Sequence, residues 1–124
     1  MIMLVTSRET GRWVLPKGWA KKRLSGSELA ALEAFEEAGI SGQVGVTSIG
    51  VYRYAKRMPG GDAILCDVDV FPMEVTELLD DWPERGQRER RWFTPAEAAS
   101  LVEEAGLTQL LLTMTGTGKR ESVE

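Results

Sequence analysis

The sequence contains no histidine. That one absence removes serine–histidine and cysteine–histidine nucleophile chemistry, imidazole acid–base catalysis and histidine-ligated zinc. There is a single cysteine, Cys66, which excludes an intramolecular disulfide framework and a cysteine-rich zinc site. Unbroken apolar runs are only a few residues long, as at Leu110–Leu112, so no segment reads as a bilayer span. The apolar start Met1–Val5 lacks a basic lead and a small-residue cleavage site and reads as a strand rather than a signal peptide. A cytoplasmic location, without membrane association, is the expectation from these absences. An enzyme built from what remains must work with carboxylates, lysines, hydroxyls or a metal held by oxygen ligands. Such ligands favour magnesium, manganese or calcium over zinc.

What is present suits one α/β domain. The chain has 124 residues, 43% of them hydrophobic and 27% charged, which is enough apolar mass for a core. A single domain over 1–115 is expected, followed by a polar, frayed tail at 116–124. The net charge of -4 argues against general nucleic-acid binding. Within that balance, Lys17, Lys21, Lys22 and Arg23 directly precede Glu33, Glu36 and Glu37. Cations beside clustered carboxylates suit a polyanion that arrives with a divalent metal.

Periodicity and turn residues place these groups. Met1–Ser7 and Arg12–Leu15 read as a hairpin turning at Gly11, and Pro16-Lys17-Gly18 ends its second strand. Ser25-Gly26-Ser27-Glu28 fits a helix capping box, the helix former run continues to Ala38, and Gly39 is suited to end it. Residues 43–54 read as one strand interrupted or bent near Gly50, and Met58-Pro59-Gly60-Gly61 as a turn. Ala63–Phe71 alternates, with Ile64, Cys66, Val68 and Val70 on one face and Asp67 and Asp69 on the other. A loop over 81–87 leads to a strand through Trp92 and Phe93. Thr94-Pro95-Ala96-Glu97 then starts a second capped helix running to about Glu104, and Gly106 separates it from a further helical turn ending near Met114.

Glu33, Glu36 and Glu37 stand at i, i+3 and i+4, so all three share roughly a third of a helix circumference. Three like charges that close repel unless a cation occupies the face; a solvated acidic surface is the plain alternative. Their setting resembles the Nudix hydrolase signature, G-x5-E-x7-R-E-U-x-E-E-x-G-U, with U a bulky aliphatic residue. Here it reads Gly18, five residues, Leu24, seven residues, then Leu32-Glu33-Ala34-Phe35-Glu36-Glu37-Ala38-Gly39-Ile40. The spacing is kept, while the first Glu and the Arg of the signature are both leucine. Glu77 to Trp82, then Arg88-Glu89-Arg90-Arg91-Trp92-Phe93 and an alanine-rich helix, is similar to the diphosphoinositol polyphosphate phosphohydrolase branch.

The resemblance implies a Nudix fold, a mixed β-sheet sandwiched between helices. It implies that Glu33, Glu36 and Glu37, with the Gly18 carbonyl, bind magnesium or manganese, and that one of the glutamates serves as general base. The implied reaction is hydrolysis of a pyrophosphate bond in a nucleoside-diphosphate-linked, dinucleoside polyphosphate or diphosphoinositol polyphosphate substrate. The two leucines imply the alternative of a module that binds a nucleotide or polyphosphate with little or no hydrolysis; they are expected to pack together as an apolar replacement for the polar pair. Nudix domains usually carry a strand before the one at Met1–Ser7, so an exposed sheet edge that a second copy of the chain could cover is a further expectation. Lys17, Lys21, Lys22 and Arg23 are the candidate phosphate ligands, with Arg53, Lys56 and Arg57 as a second cluster. Trp19, next to Gly18, is the candidate stacking platform. Trp82, Trp92 and Cys66 read as packing residues, and Glu84 and Glu89 as surface charges.

Overall fold

Strand β1 (Ile2–Thr6) is the axis of the molecule because its residues are apolar on both faces. Ile2 and Leu4 enter a cluster with Leu15, Tyr52, Phe93 and Leu107, while Met3 and Val5 enter a second one with Ala34, Ala38 and Ile40. A strand without polar alternation is what a sheet covered on both sides requires. Full burial of Ile2 and Leu4 stabilises the fold by about 2 kcal/mol each. The computed structural model of the protein describes residues 1–114 and the backbone of residues 122–123. Apart from those two residues, the expected frayed tail at 116–124 lies outside the described residues.

The α/β layering forms as the sequence implies. Strands β2 (Trp13–Val14) and β7 (Arg90–Phe93) flank β1. Strand β3 (Ile40–Val44) pairs with β6 (Pro72–Leu78), which also pairs with β8 (Ser122–Val123). Strands β4 (Gly50–Arg57) and β5 (Ala63–Val70) form a hairpin around the expected turn at Met58–Gly61. Every described pairing is antiparallel, in three groups, where one mixed sheet was expected.

The strand expected over 43–54, interrupted or bent near Gly50, is interrupted: β3 ends at Val44 and β4 begins at Gly50. The chain changes partner there: Gly45 N donates to the Pro72 carbonyl at 2.8 Å and Ile49 N to the Val70 carbonyl at 2.8 Å. The partner strand breaks at the same level, because Pro72 has no N–H to continue the ladder and so starts β6. In β5, burial rises from exposed Ile64 to buried Val70, since the strand runs outward past the core. Cys66, expected to be buried, is therefore only half-buried.

Helix α1 (Gly26–Glu33) starts with the predicted box: the Ser25 hydroxyl accepts from Glu28 N, and the Glu28 carboxylate accepts from Ser25 N. It continues as a π-helical turn over Ala34–Ala38. Gly39 closes it at φ 63°, and a Cβ there would collide with the Trp82 ring. Helix α2 (Pro95–Leu101) has the second predicted box and stops short of Glu104, and α3 (Ala105–Leu112) covers the other side of β1. Gly106 lies inside α3 rather than between the helices. Among the described residues no helix is long and apolar enough to cross a membrane.

Candidate active site

Helix α1 presents Glu33 and Glu37 on its inner side. Ala34 and Ala38 bring the backbone against the core beneath β1, and the wider i→i+5 turn sets residues four apart nearly in line. The two carboxyl groups are hydrogen-bonded to each other, and each residue is only 7% exposed. Burial raises both pKa values. Glu37 is pushed up to about 8 by loss of solvent, against the pull of Arg88 in the other direction, and its hydrogen bond to Glu33 adds to the rise.

Around this pair the chain is tightly tied. Arg88 Nη2 lies 3.7 Å from Glu37 Oε2, and its Nε donates to Glu84 Oε1 at 2.7 Å. Glu84 N donates to the Glu36 carbonyl at 3.0 Å, which latches the loop over 81–87 onto the helix. Arg90 secures the helix end. Its guanidinium stacks 4.0 Å over the Trp82 ring and donates to the carbonyls of Ala38, Gly39 and Leu79 at 2.8–3.0 Å. A cation on the last carbonyls complements the negative end of a helix.

A cleft of about 370 Å³ opens from Glu33, bounded by Pro16–Ala20, the start of α1 and strand β5. Gly18 passes so close to Glu33 that a Cβ would collide with the carboxylate Oε1, which explains the glycine by contact rather than by turn geometry. Lys17 stands in the cleft with its Nζ 4.8 Å over the Tyr54 ring; burial lowers its pKa, partly offset by Glu104 and Glu37. Trp19, 53% exposed, lines the cleft together with Ile64 and Leu65.

The structure thus brings together Lys17, Gly18, Glu33 and Glu37 of the residues singled out from sequence. Glu36 is half-buried and joins through its carbonyl. Lys21 is exposed yet near enough to Glu33 to favour its charged form. Lys22 and Arg23 are exposed and line no part of the cleft. Arg53 does not line the cleft, but its Nε donates at 2.9 Å to Oδ1 of Asp67, which does. Leu24 and Leu32 are both half-buried. Arg88, Arg90 and Glu84 were given no functional role from sequence. The signal for the arginines was their i, i+2 spacing, which puts both on one face of an extended segment.

Among the described residues no three carboxylates converge into a ready metal cage. The donor chemistry nonetheless fits a hard divalent cation. Two buried carboxyl groups side by side, both with pKa values raised by burial, are oxygen donors whose charge a cation would balance, and the Gly18 backbone lies directly against one of them.

No family model matches the chain. It is 39% identical over 103 residues to Nudix hydrolase 12, mitochondrial, of Arabidopsis thaliana, covering 81% of this chain and 51% of that protein. It is 30% identical over 111 residues to Nudix hydrolase 21, chloroplastic, of the same plant, covering 89% and 54%. A rat diphosphoinositol polyphosphate phosphohydrolase 2 is 27% identical over 105 residues, covering 83% and 54%. The chain spans about half the length of these relatives. The names of the two plant relatives overturn the expectation of a cytoplasmic location. That expectation rested on a missing secretory signal and a single cysteine, and neither distinguishes the cytoplasm from other reducing compartments. Relatives of one kind, aligned over most of the chain and joined by the glutamate helix and its two flanking glycines, establish that the chain belongs to the Nudix hydrolase family.

Proposed function

We propose that the chain is a divalent-metal-dependent hydrolase of a pyrophosphate bond. The observation that carries this reading is the buried pair Glu33–Glu37, of which Glu33 lines a cleft that also holds Lys17. Glu33, Glu36 and Glu37, with the Gly18 carbonyl, are the groups that would hold the cation, magnesium or manganese. Bound there, it would supply Lewis-acid polarisation of phosphoryl oxygens and acidify water. Lys17, desolvated against Tyr54, adds a fixed positive charge where a diphosphate enters.

The lining also bears on the substrate. Its cations are limited to Lys17, whereas Glu33, Asp67 and Asp69 bring carboxylates and Trp19, Tyr54 and Phe71 bring aromatic rings. An inositol ring bearing phosphates on every carbon would meet too few cations. A dinucleoside polyphosphate or nucleoside-diphosphate-linked compound offers a base that can stack on Trp19, with exposed Lys21, close enough to Glu33 to act on its charge, available to an outer phosphate. The second reading, a module that binds such a ligand without cleaving it, draws on Leu24 and Leu32 in the signature.

A panel of a diadenosine polyphosphate, ADP-ribose and a diphosphoinositol polyphosphate, each with and without magnesium, tests both readings. Magnesium-dependent turnover of the first two above the third is expected. Binding without turnover of any member would favour the module, and preferred turnover of the inositol compound would overturn the substrate argument.

A further inference from the structure

Helix α1 and its π-helical turn, Gly26–Ala38, carry no lysine or arginine, so nothing on the helix itself balances Glu33, Glu36 and Glu37. Among the described residues, Arg88 alone forms an ion pair with either buried carboxylate, and it comes from the segment entering β7. Its side chain is 10% exposed and engaged in three directions: toward Glu37, toward Glu84, and toward β1 through a hydrogen bond from Nη1 to the Thr6 carbonyl at 3.1 Å. The same end of β1 is stitched to the neighbouring residue twice. Thr6 N donates to the Glu89 carbonyl at 3.0 Å, and Glu89 N donates to Thr6 Oγ1 at 2.9 Å.

We infer that Arg88 is a positioning residue of the carboxylate centre, tying Glu37 to Glu84 and to the end of β1 so that Glu37 is held ready for a divalent cation. This rests on the proposal that the Glu33–Glu37 pair takes such a cation. The guanidinium geometry matters here. A planar fork can bridge two carboxylates and a carbonyl at once, whereas a lysine supplies one point charge on a flexible stem. Groups that orient metal-binding side chains without touching the metal change its affinity by roughly 10- to 100-fold when altered.

The rival role is simple charge balance, and it predicts the opposite sign. As a bare positive charge beside Glu37, Arg88 would repel an incoming dication, so its removal would tighten metal binding. As a positioning group, its removal loosens the carboxylates and weakens binding.

The test is calorimetric titration of Mn2+ into the full chain without substrate, for wild type, Arg88→Lys and Arg88→Leu, with a thermal melt of each. Both variants are expected to bind Mn2+ about tenfold more weakly. At saturating Mn2+, kcat should fall while KM stays within about twofold, because Arg88 lines no part of the cleft. Tighter binding in Arg88→Leu, with Arg88→Lys like wild type, would overturn the inference in favour of charge balance. Unchanged binding in both variants would overturn it as well. Should Arg88→Leu fail to fold, Arg88→Lys decides alone, since it keeps the charge and loses the fork. A wild type that binds no Mn2+ would instead overturn the proposal for the site, and this inference with it.

Discussion

Two arginine–carboxylate contacts in this protein differ sharply in their exposure to water. Arg53 makes the shorter contact, 2.9 Å to Asp67, with side chains 63% and 58% exposed. Arg88 lies 3.7 Å from Glu37, with side chains 10% and 9% exposed. Distance alone would rank Arg53 first. Solvent reverses the order, because water screens the exposed pair and competes for both partners, while the buried pair has no replacement for what it would lose. A charge on this protein therefore matters by where the backbone buries it rather than by how closely it is paired.

The comparison can be broken in several ways. The largest effect is expected from the protonation of Glu37, whose pKa in the folded protein is pushed up to about 8, well above the ordinary carboxylate range, chiefly by burial. A raised carboxyl pKa favours the folded state fully below the unfolded value, and the advantage is lost as pH rises through the folded one. In metal-free buffer, urea midpoints should fall between about pH 5 and pH 8, and Glu37→Gln should flatten that slope. An unchanged slope in the variant would locate the titrating group elsewhere. Next, Arg88→Leu should cost about 2 kcal/mol in urea unfolding at pH 7, less than a fully charged buried pair would, because Glu37 can take up a proton. A loss under about 0.5 kcal/mol would put Arg88 on the same footing as an exposed pair. Trp19→Ala should raise KM for a diadenosine polyphosphate about tenfold, the loss of one stacked base, with little change in kcat. Equal effects on ADP-ribose and on inorganic pyrophosphate would argue against stacking. Smallest of all, Arg53→Gln should shift stability by no more than about 0.5 kcal/mol, and a larger shift would break the contrast.

Much of the fold was readable because local chemistry and tertiary structure agree. Both capping boxes formed, Gly39 ended its helix, and the apolar run Met1–Val5 became the central strand. The errors have a common origin in partner exchange. Nothing local to residues 43–54 announces that they leave one strand and join another; the reason lies at Pro72, some twenty residues on. In the site, spacing placed Glu33 and Glu37 on one face and the signature drew attention to Gly18. Which cation reaches them was not legible. The eye falls on Lys21, Lys22 and Arg23 because they are close in sequence, yet the residue buried against Glu37 is fifty-one positions away, carried there by the pairing of β7 with β1.

The account stands on the Glu33–Glu37 pair, and Glu37→Gln tests it most directly, since the amide keeps the size and a hydrogen-bonding group but cannot carry the charge. Magnesium-dependent hydrolysis of a diadenosine polyphosphate should fall by at least about 100-fold in this variant while its thermal melt stays cooperative. Hydrolysis within a few-fold of wild type would contradict the assignment of this pair as the centre of the reaction.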